Sequence, residues 1–313
     1  MKLLVTGGAG FIGSNFINYI LEKCKEVESV LNVDCLSYAA NEKNCQKFLS
    51  NPKYSFRHLD ITRNPQVQDV FKRYTPTHVV HFAAESHVDN SIKNPNIFLE
   101  TNVMGTHNLL KAALSSKVKR FHHISTDEVY GSLGQTGKFK ETTPYDPRNP
   151  YSASKAAADH LVRTFHHTFS LPITISNCSN NYGPNQHGEK FIPTILKNLI
   201  KGKKIPVYGQ GANIRDWIYV EDHCSAVWKI LTEGEVGETY NVGANCEKTN
   251  LEIINAICSI MKIEPSSYIE FVKDRLGHDF RYAINASKIR SKLSWKPSYT
   301  FKRGLIKTIA SYA

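Results

Sequence analysis

The chain has 313 residues, 41% of them hydrophobic and 21% charged, with 18 Gly and 13 Pro, a composition that excludes disordered, collagen-like and low-complexity classes. Seven cysteines, odd in number and without a Cys-x-x-Cys spacing, argue against a disulfide framework and a structural zinc site. The net charge of +11 is spread evenly, +5 over residues 1–176 and +6 over 177–313, which describes a solvated surface rather than a nucleic-acid footprint.

No apolar run approaches the ~20 residues of a membrane span, and a strand pattern begins at Lys2 with no signal-peptide core before it. A cytosolic chain is expected, without nucleic-acid, membrane or metal partners. Strands are expected at 2–6, 29–33, 54–58, 78–82, 120–125 and 172–176, with helices at 11–24, 65–74, 95–116 and 151–169. Six strands connected in this way form a doubly wound parallel sheet whose ligands lie off the carboxyl ends of its strands. Beyond about residue 180 the rhythm shortens, with strands at 205–208, 239–242 and 269–272 and helices near 190–200, 220–232, 250–261 and 286–293. The expected class is α/β, with a dinucleotide-binding domain over 1–178 plus about 214–244. A smaller, partly interleaved substrate-binding lobe takes 179–213 and 245–313, and the cleft between the two is the expected substrate site.

Gly7-Gly8-Ala9-Gly10-Phe11-Ile12-Gly13 follows the first strand and opens a helix. Glycines at 7, 10 and 13 permit a tight turn, a close backbone approach to a pyrophosphate, and close packing of helix on sheet. Asp34 stands 21 residues after Gly13, where a carboxylate accepts from ribose hydroxyls and repels a 2′-phosphate. With no Lys or Arg among residues 35–41, NAD is favoured over NADP. Asp60, at the end of the third strand, suits the adenine amino group or a helix N-cap equally.

Tyr151 and Lys155 share a helix face at i and i+4. Beside an NAD site, an ammonium near the phenol favours tyrosinate, which takes a hydroxyl proton as hydride leaves. Ser125-Thr126-Asp127-Glu128-Val129-Tyr130-Gly131 closes the fifth strand with two adjacent acids. Two carboxyl groups in one cleft can split in pKa and act as acid and base, which is more than a simple alcohol oxidation requires. The plainer account has Asp127 capping the next segment and Glu128 facing solvent.

Over nearly its whole length the chain resembles the extended short-chain dehydrogenase/reductases with a Rossmann-type fold, and among them the nucleotide-sugar 4,6-dehydratases. The resemblance rests on Thr6-Gly7-Gly8-Ala9-Gly10-Phe11-Ile12-Gly13-Ser14-Asn15, Phe82-Ala83-Ala84-Glu85-Ser86-His87-Val88-Asp89, residues 125–131, Tyr151-Ser152-Ala153-Ser154-Lys155, Asn180-Asn181-Tyr182-Gly183-Pro184, Arg215-Asp216-Trp217 and Asp274-Arg275-Leu276-Gly277-His278-Asp279. It implies that Tyr151 takes the C4 hydroxyl proton while hydride passes to NAD, with Lys155 lowering its pKa and Thr126 holding the sugar. Glu128 would then remove the C5 proton, Asp127 would protonate the departing C6 hydroxyl, and hydride would return to C6.

By the same resemblance, NAD would contact Gly7, Gly10, Phe11, Ile12, Gly13, Asp34, Cys35, Leu36, Ser37, Asp60, Ile61, Phe82, Ala83, Ala84, Ser86, Thr101, Ser125, Tyr151, Lys155 and Asn181. The substrate would contact Ser86, His87, Thr126, Asp127, Glu128, Asn180, Lys190, Phe191, Pro206, Val207, Tyr208, Arg215, Asn250, Asp274, Arg275 and His278. Arg215 and Arg275 have the chemistry of diphosphate clamps, or equally of interlobe ion pairs. Leu276 departs from the Pro usual in the family. Asn185-Gln186 points to UDP-glucose and Gly277-His278-Asp279 to dTDP-glucose, so the base stays open. The family further implies a homodimer through 95–116 and 151–169. The paired acids weigh against the rival readings of a 4-epimerase or a UDP-glucuronate decarboxylase, and the intact catalytic set weighs against an inactive NAD-binding scaffold.

Overall fold

The computed structural model describes residues 1–274 and 279–312. Its strands are β1 Lys2–Thr6, β2 Ser29–Asp34, β3 Tyr54–His58, β4 His78–His81, β5 Arg120–Thr126, β6 Ile173–Cys178, β7 Asn180–Tyr182, β8 Ile205–Tyr208, β9 Ile214–Tyr219, β10 Thr239–Val242, β11 Glu247–Thr249 and β12 Ile269–Val272. Seven form one parallel sheet in the order β10-β6-β5-β4-β1-β2-β3. The central strands are buried along nearly their whole length, as a parallel sheet covered by helices on both faces requires. Helices Asn64–Tyr74, Thr106–Ser115 and Pro150–Phe169 close one face through Val67, Phe71, Leu109, Leu110 and Val162. Phe11–Lys23 and Val220–Glu233 close the other through Phe16, Ile17, Ile20, Val220 and Val227.

The expected six-stranded sheet has a seventh member. Thr239–Val242, expected as one of the shorter strands beyond residue 180 and within the 214–244 part of the dinucleotide-binding domain, pairs parallel with β6 and is buried throughout. The expected helix over 95–116 is broken: Pro95–Phe98 leads into a π-helical stretch Leu99–Gly105, and regular helix resumes at Thr106–Ser115. Such wide turns concentrate at functional sites, and this one carries Thr101 into the cleft. The smaller lobe holds a three-stranded sheet β11-β9-β7 and a two-stranded sheet β12-β8. Ile192, Leu196, Ile253, Ile257 and Leu305 pack there as a separate core. Strands β7, β9 and β11, and the helix Phe301–Ala310, were not foreseen.

Buried imidazoles tie the main sheet together. His122 lies 2.9 Å from Thr174 Oγ1 and 3.1 Å from Ser176 Oγ on β6, and His81 lies 2.7 Å from Thr6 Oγ1 and 2.9 Å from Thr106 Oγ1. Burial holds His123 down to about 4 and His223 to about 3, from an ordinary value of 6.5, and pushes His81 and His122 well below it. The unfolded chain binds these protons near pH 6.5 and the folded chain only at or below about 4, so folding is favoured in full above pH 6.5 and loses ground as pH falls toward 4. Urea unfolding at pH 7 and pH 5 should give a clearly lower midpoint at pH 5, and replacing His122 by Gln should shrink the difference. Equal midpoints at the two pH values would exclude this account.

Candidate active site

The carboxyl ends of β1, β2, β4, β5 and β6 open onto one cleft of about 940 Å³. At its floor, Gly7 turns with φ +73° and donates from its N–H to Val33 O at 2.9 Å. A Cβ on Gly7 would come within 2.6 Å of Ala83 N, and one on Gly13 would clash with the Gly7 carbonyl oxygen. The helix Phe11–Lys23 starts at Gly10 with no side-chain cap, so the first-turn N–H groups face the cleft as an anion cradle. Asp34 accepts from Ala9 N at 2.9 Å and Leu36 N at 2.8 Å. Burial raises its pKa and these two donors oppose the rise. Asp60 does not cap a helix: its Oδ1 accepts from Thr62 N at 2.9 Å, and the helix begins at Asn64 behind Arg63. The dinucleotide residues named from sequence line this cleft except Leu36, which packs on the core beneath Phe11–Lys23. The turn, the uncapped helix start and the carboxylate on β2 fit NAD.

Thr126, at the end of β5, accepts from Glu128 N at 3.2 Å and starts the 3-10 turn Asp127–Tyr130 that presents both acids. Asp127 is fully buried, with Oδ2 lacking a protein partner among the described residues. Burial first, then the charges of Glu128 and Asp216, raise its pKa well above the carboxylate range, against Arg215. Glu128 is also raised by burial, but Arg215, Lys190 and the Asn149 amide, 3.5 Å from Oε2, draw it back. Both acids are therefore raised, and Glu128 differs in having Lys190 and the Asn149 amide as well as Arg215 to oppose the rise. Asn149 also caps the helix Pro150–Phe169, with Ser152 completing a capping box, so one residue links Glu128 to the helix that bears Tyr151.

The Tyr151 phenol is raised rather than lowered. Burial and the Glu128 charge push the phenol well above its ordinary value, opposed by the Thr126 hydroxyl. The Lys155 ammonium is instead drawn inward, donating to Ile124 O at 2.8 Å and lying 3.4 Å from His123 Nε2. Burial lowers it to about 8.

Of the expected substrate residues, Ser86, Thr126, Asp127, Glu128, Asn180 and Lys190 line the cleft, and Lys190 Nζ donates to Ser86 O at 2.9 Å. His87 Nε2 lies 3.9 Å from Glu189 at the rim. Arg215 stacks on Tyr282 at 4.3 Å and donates to Asp279 O at 3.0 Å, close enough to bias both acids. Phe191, Pro206, Val207, Tyr208, Asn250 and Asp274 do not line the cleft. Phe191 packs on Trp217, Val207 lies in the lobe core, Pro206 and Tyr208 sit on β8, Asn250 starts a helix, and Asp274 lies against the turn at Gly209. Arg275 and His278 lie outside the described residues. Sequence reading passed over Asn149, Asp159, Tyr145 and Glu189. Asn149 was legible as an Asn before Pro150, a helix-start signal.

The chain matches the family model described as GDP-mannose 4,6 dehydratase over residues 4–308. It is 49% identical to dTDP-glucose 4,6-dehydratase of Neisseria gonorrhoeae, over 99% of this chain and 95% of the relative. It is 48% identical to the enzyme of the same name from Haemophilus influenzae, over 100% and 98%. Among solved structures, DesIV of Streptomyces venezuelae, a dTDP-glucose 4,6-dehydratase with NAD and TYD bound, superposes with a TM-score of 0.96 at 41% identity, covering 100% of this chain and 97% of that one. Gly13→Ala, which forces the helix start away from the turn, should leave the purified protein without bound dinucleotide and lower its stability by about 1–3 kcal/mol. The ratio of absorbance at 260 and 280 nm and a thermal melt would read both effects.

Proposed function

The chain belongs to the extended short-chain dehydrogenase/reductase family, in the group matched by the GDP-mannose 4,6 dehydratase model, and from that premise we propose that it is an NAD-dependent 4,6-dehydratase acting on a nucleoside-diphosphate glucose. The products are the 4-keto-6-deoxyglucose nucleotide and water. The observation that carries this reading is the placing of two adjacent acids, a buried Asp127 and a Glu128 whose rise from burial Arg215 and Lys190 oppose, in one cleft with Thr126 and Tyr151.

Held by the glycine turn and Asp34, NAD would supply the hydride acceptor for C4 and the hydride donor for C6. Tyr151 takes the C4 hydroxyl proton, and the Thr126 hydroxyl beside it orients the exchange. The 4-ketone acidifies C5, and Glu128 removes that proton. Asp127 gives its proton to the C6 hydroxyl, which leaves as water, and Glu128 returns a proton to C5. The relatives' names favour dTDP-glucose as substrate, with UDP-glucose the alternative raised by Asn185-Gln186. The paired acids speak against a 4-epimerase, a decarboxylase or a bare NAD-binding scaffold. Seven free cysteines suit a reducing cytosol, and no described helix is long and apolar enough to cross a membrane.

A homodimer is part of the same reading. Ile97, Leu99 and Met104 are 40%, 51% and 54% exposed, and Phe169 is 50% exposed, on the two helical regions expected to supply the contact. Leu99→Glu combined with Met104→Glu should shift the protein from dimer to monomer in light scattering.

A mass-resolved assay in heavy water, with dTDP-glucose and UDP-glucose in parallel, tests the chemistry. Loss of one water with one deuterium gained at C5 is expected, faster with dTDP-glucose. Glu128→Gln should cut turnover by about 10²–10⁴-fold while leaving the melting temperature unchanged. Unchanged dehydration in that variant would overturn the assigned base.

A further inference from the structure

Behind Lys155, away from the cleft, lies a buried polar cluster that the reaction steps above do not use. Asp159 sits one turn further along the helix Pro150–Phe169, fully buried, with Oδ1 3.2 Å from His123 Nε2. Its Oδ2 accepts from Ser125 Oγ and Tyr145 OH, each at 2.8 Å. Tyr145 OH in turn accepts from Arg163 at 2.8 Å, and Arg163 reaches Thr239 Oγ1 on β10 at 3.3 Å. The cluster thus joins β5, the catalytic helix, the 131–149 segment and the seventh strand around one carboxylate.

We infer that Asp159 is a positioning residue for the C4 oxidation: it accepts from His123 and, one helical turn from Lys155, is the counter-ion of a Lys155 anchored on Ile124 O. This rests on the reading of Tyr151 and Lys155 as the oxidising pair. An isolated ammonium in a dry interior gives up its proton, and the groups facing Lys155 include two neutral imidazoles, His123 and His81, and the Cys178 thiol. Asp159 is the carboxylate among its described neighbours that opposes the loss. Burial alone would raise Asp159, but His123, Lys155 and Arg163 together hold it below its ordinary range. Two hydroxyl donors fix its second oxygen.

The test reads Lys155 directly. In protein labelled with [ε-13C]lysine, with the resonance assigned by its loss in Lys155→Met, the Lys155 shift should titrate with a midpoint of about 8. A midpoint below 7 in the parent protein would overturn the inference without any variant. Asp159→Asn and Asp159→Ser should each lower the midpoint by about 1–3 pH units, and Asp159→Glu should restore it. A charged Lys155 exists only below its midpoint, so the alkaline limb of the pH profile for single-turnover C4 oxidation should move to lower pH by the same amount. A purely structural role would lower the rate at every pH and move no limb. If the neutral variants leave the midpoint unmoved while Lys155→Met abolishes oxidation, the counter-ion role fails and the oxidising pair stands. If Lys155→Met oxidises normally, the underlying reading fails.

Discussion

The parallel pairing of β5 with β6 fixes the site. Thr126 is opposite Cys178 and Ser125 opposite Asn177, and four residues back the His122 imidazole is pinned by Thr174 and Ser176 on β6. A shift of one residue in this pairing would exchange the two faces of β5. His122 would lose its hydroxyl partners, and Ser125, Thr126 and the following acids would turn away from the helix bearing Tyr151. Polar pairs inside an otherwise apolar sheet thus give the strand ends one register where hydrophobic packing alone would tolerate several.

That register makes two adjacent carboxyl groups unequal. The chain turns directly after Thr126 and brings both acids to the cleft, Asp127 fully buried and Glu128 partly so. Burial raises both and Arg215 opposes it at both, but Asp127 also meets the Asp216 charge, whereas Glu128 also meets Lys190 and the Asn149 amide. The same chemical group acquires two proton affinities from one backbone turn.

Much of this was legible in the sequence because it obeys local rules. The glycine turn, Asp34, the long central strands and the Tyr151–Lys155 spacing each announce themselves within a few residues, and the structure gathers them at one end of the sheet. What escaped is set by contacts distant in the chain. Strands of three residues, β7 and β11, have no period to detect, and β10 reads as a stray short strand until β6 is there to pair with it. Asp159 is one more acid four residues from a lysine until His123, Ser125 and Tyr145 surround it. The fall of Lys155 toward the interior, and the rise of the Tyr151 phenol, follow from burial, which spacing does not reveal. Pro206, Val207 and Tyr208 lie together on β8, with Val207 in the core of the smaller lobe and Tyr208 exposed.

The seventh strand also orders events during synthesis. After β6 the chain leaves the main sheet to build β7, β8 and β9 and returns only at Thr239–Val242 to cover the exposed edge of β6. A ribosome must therefore deliver most of the polypeptide while that edge is open, and an open parallel edge is a template for pairing with another chain. Arg163, waiting on the catalytic helix to meet Thr239, gives the returning strand a polar landmark. The strand that completes the sheet thereby also braces the cluster behind Lys155.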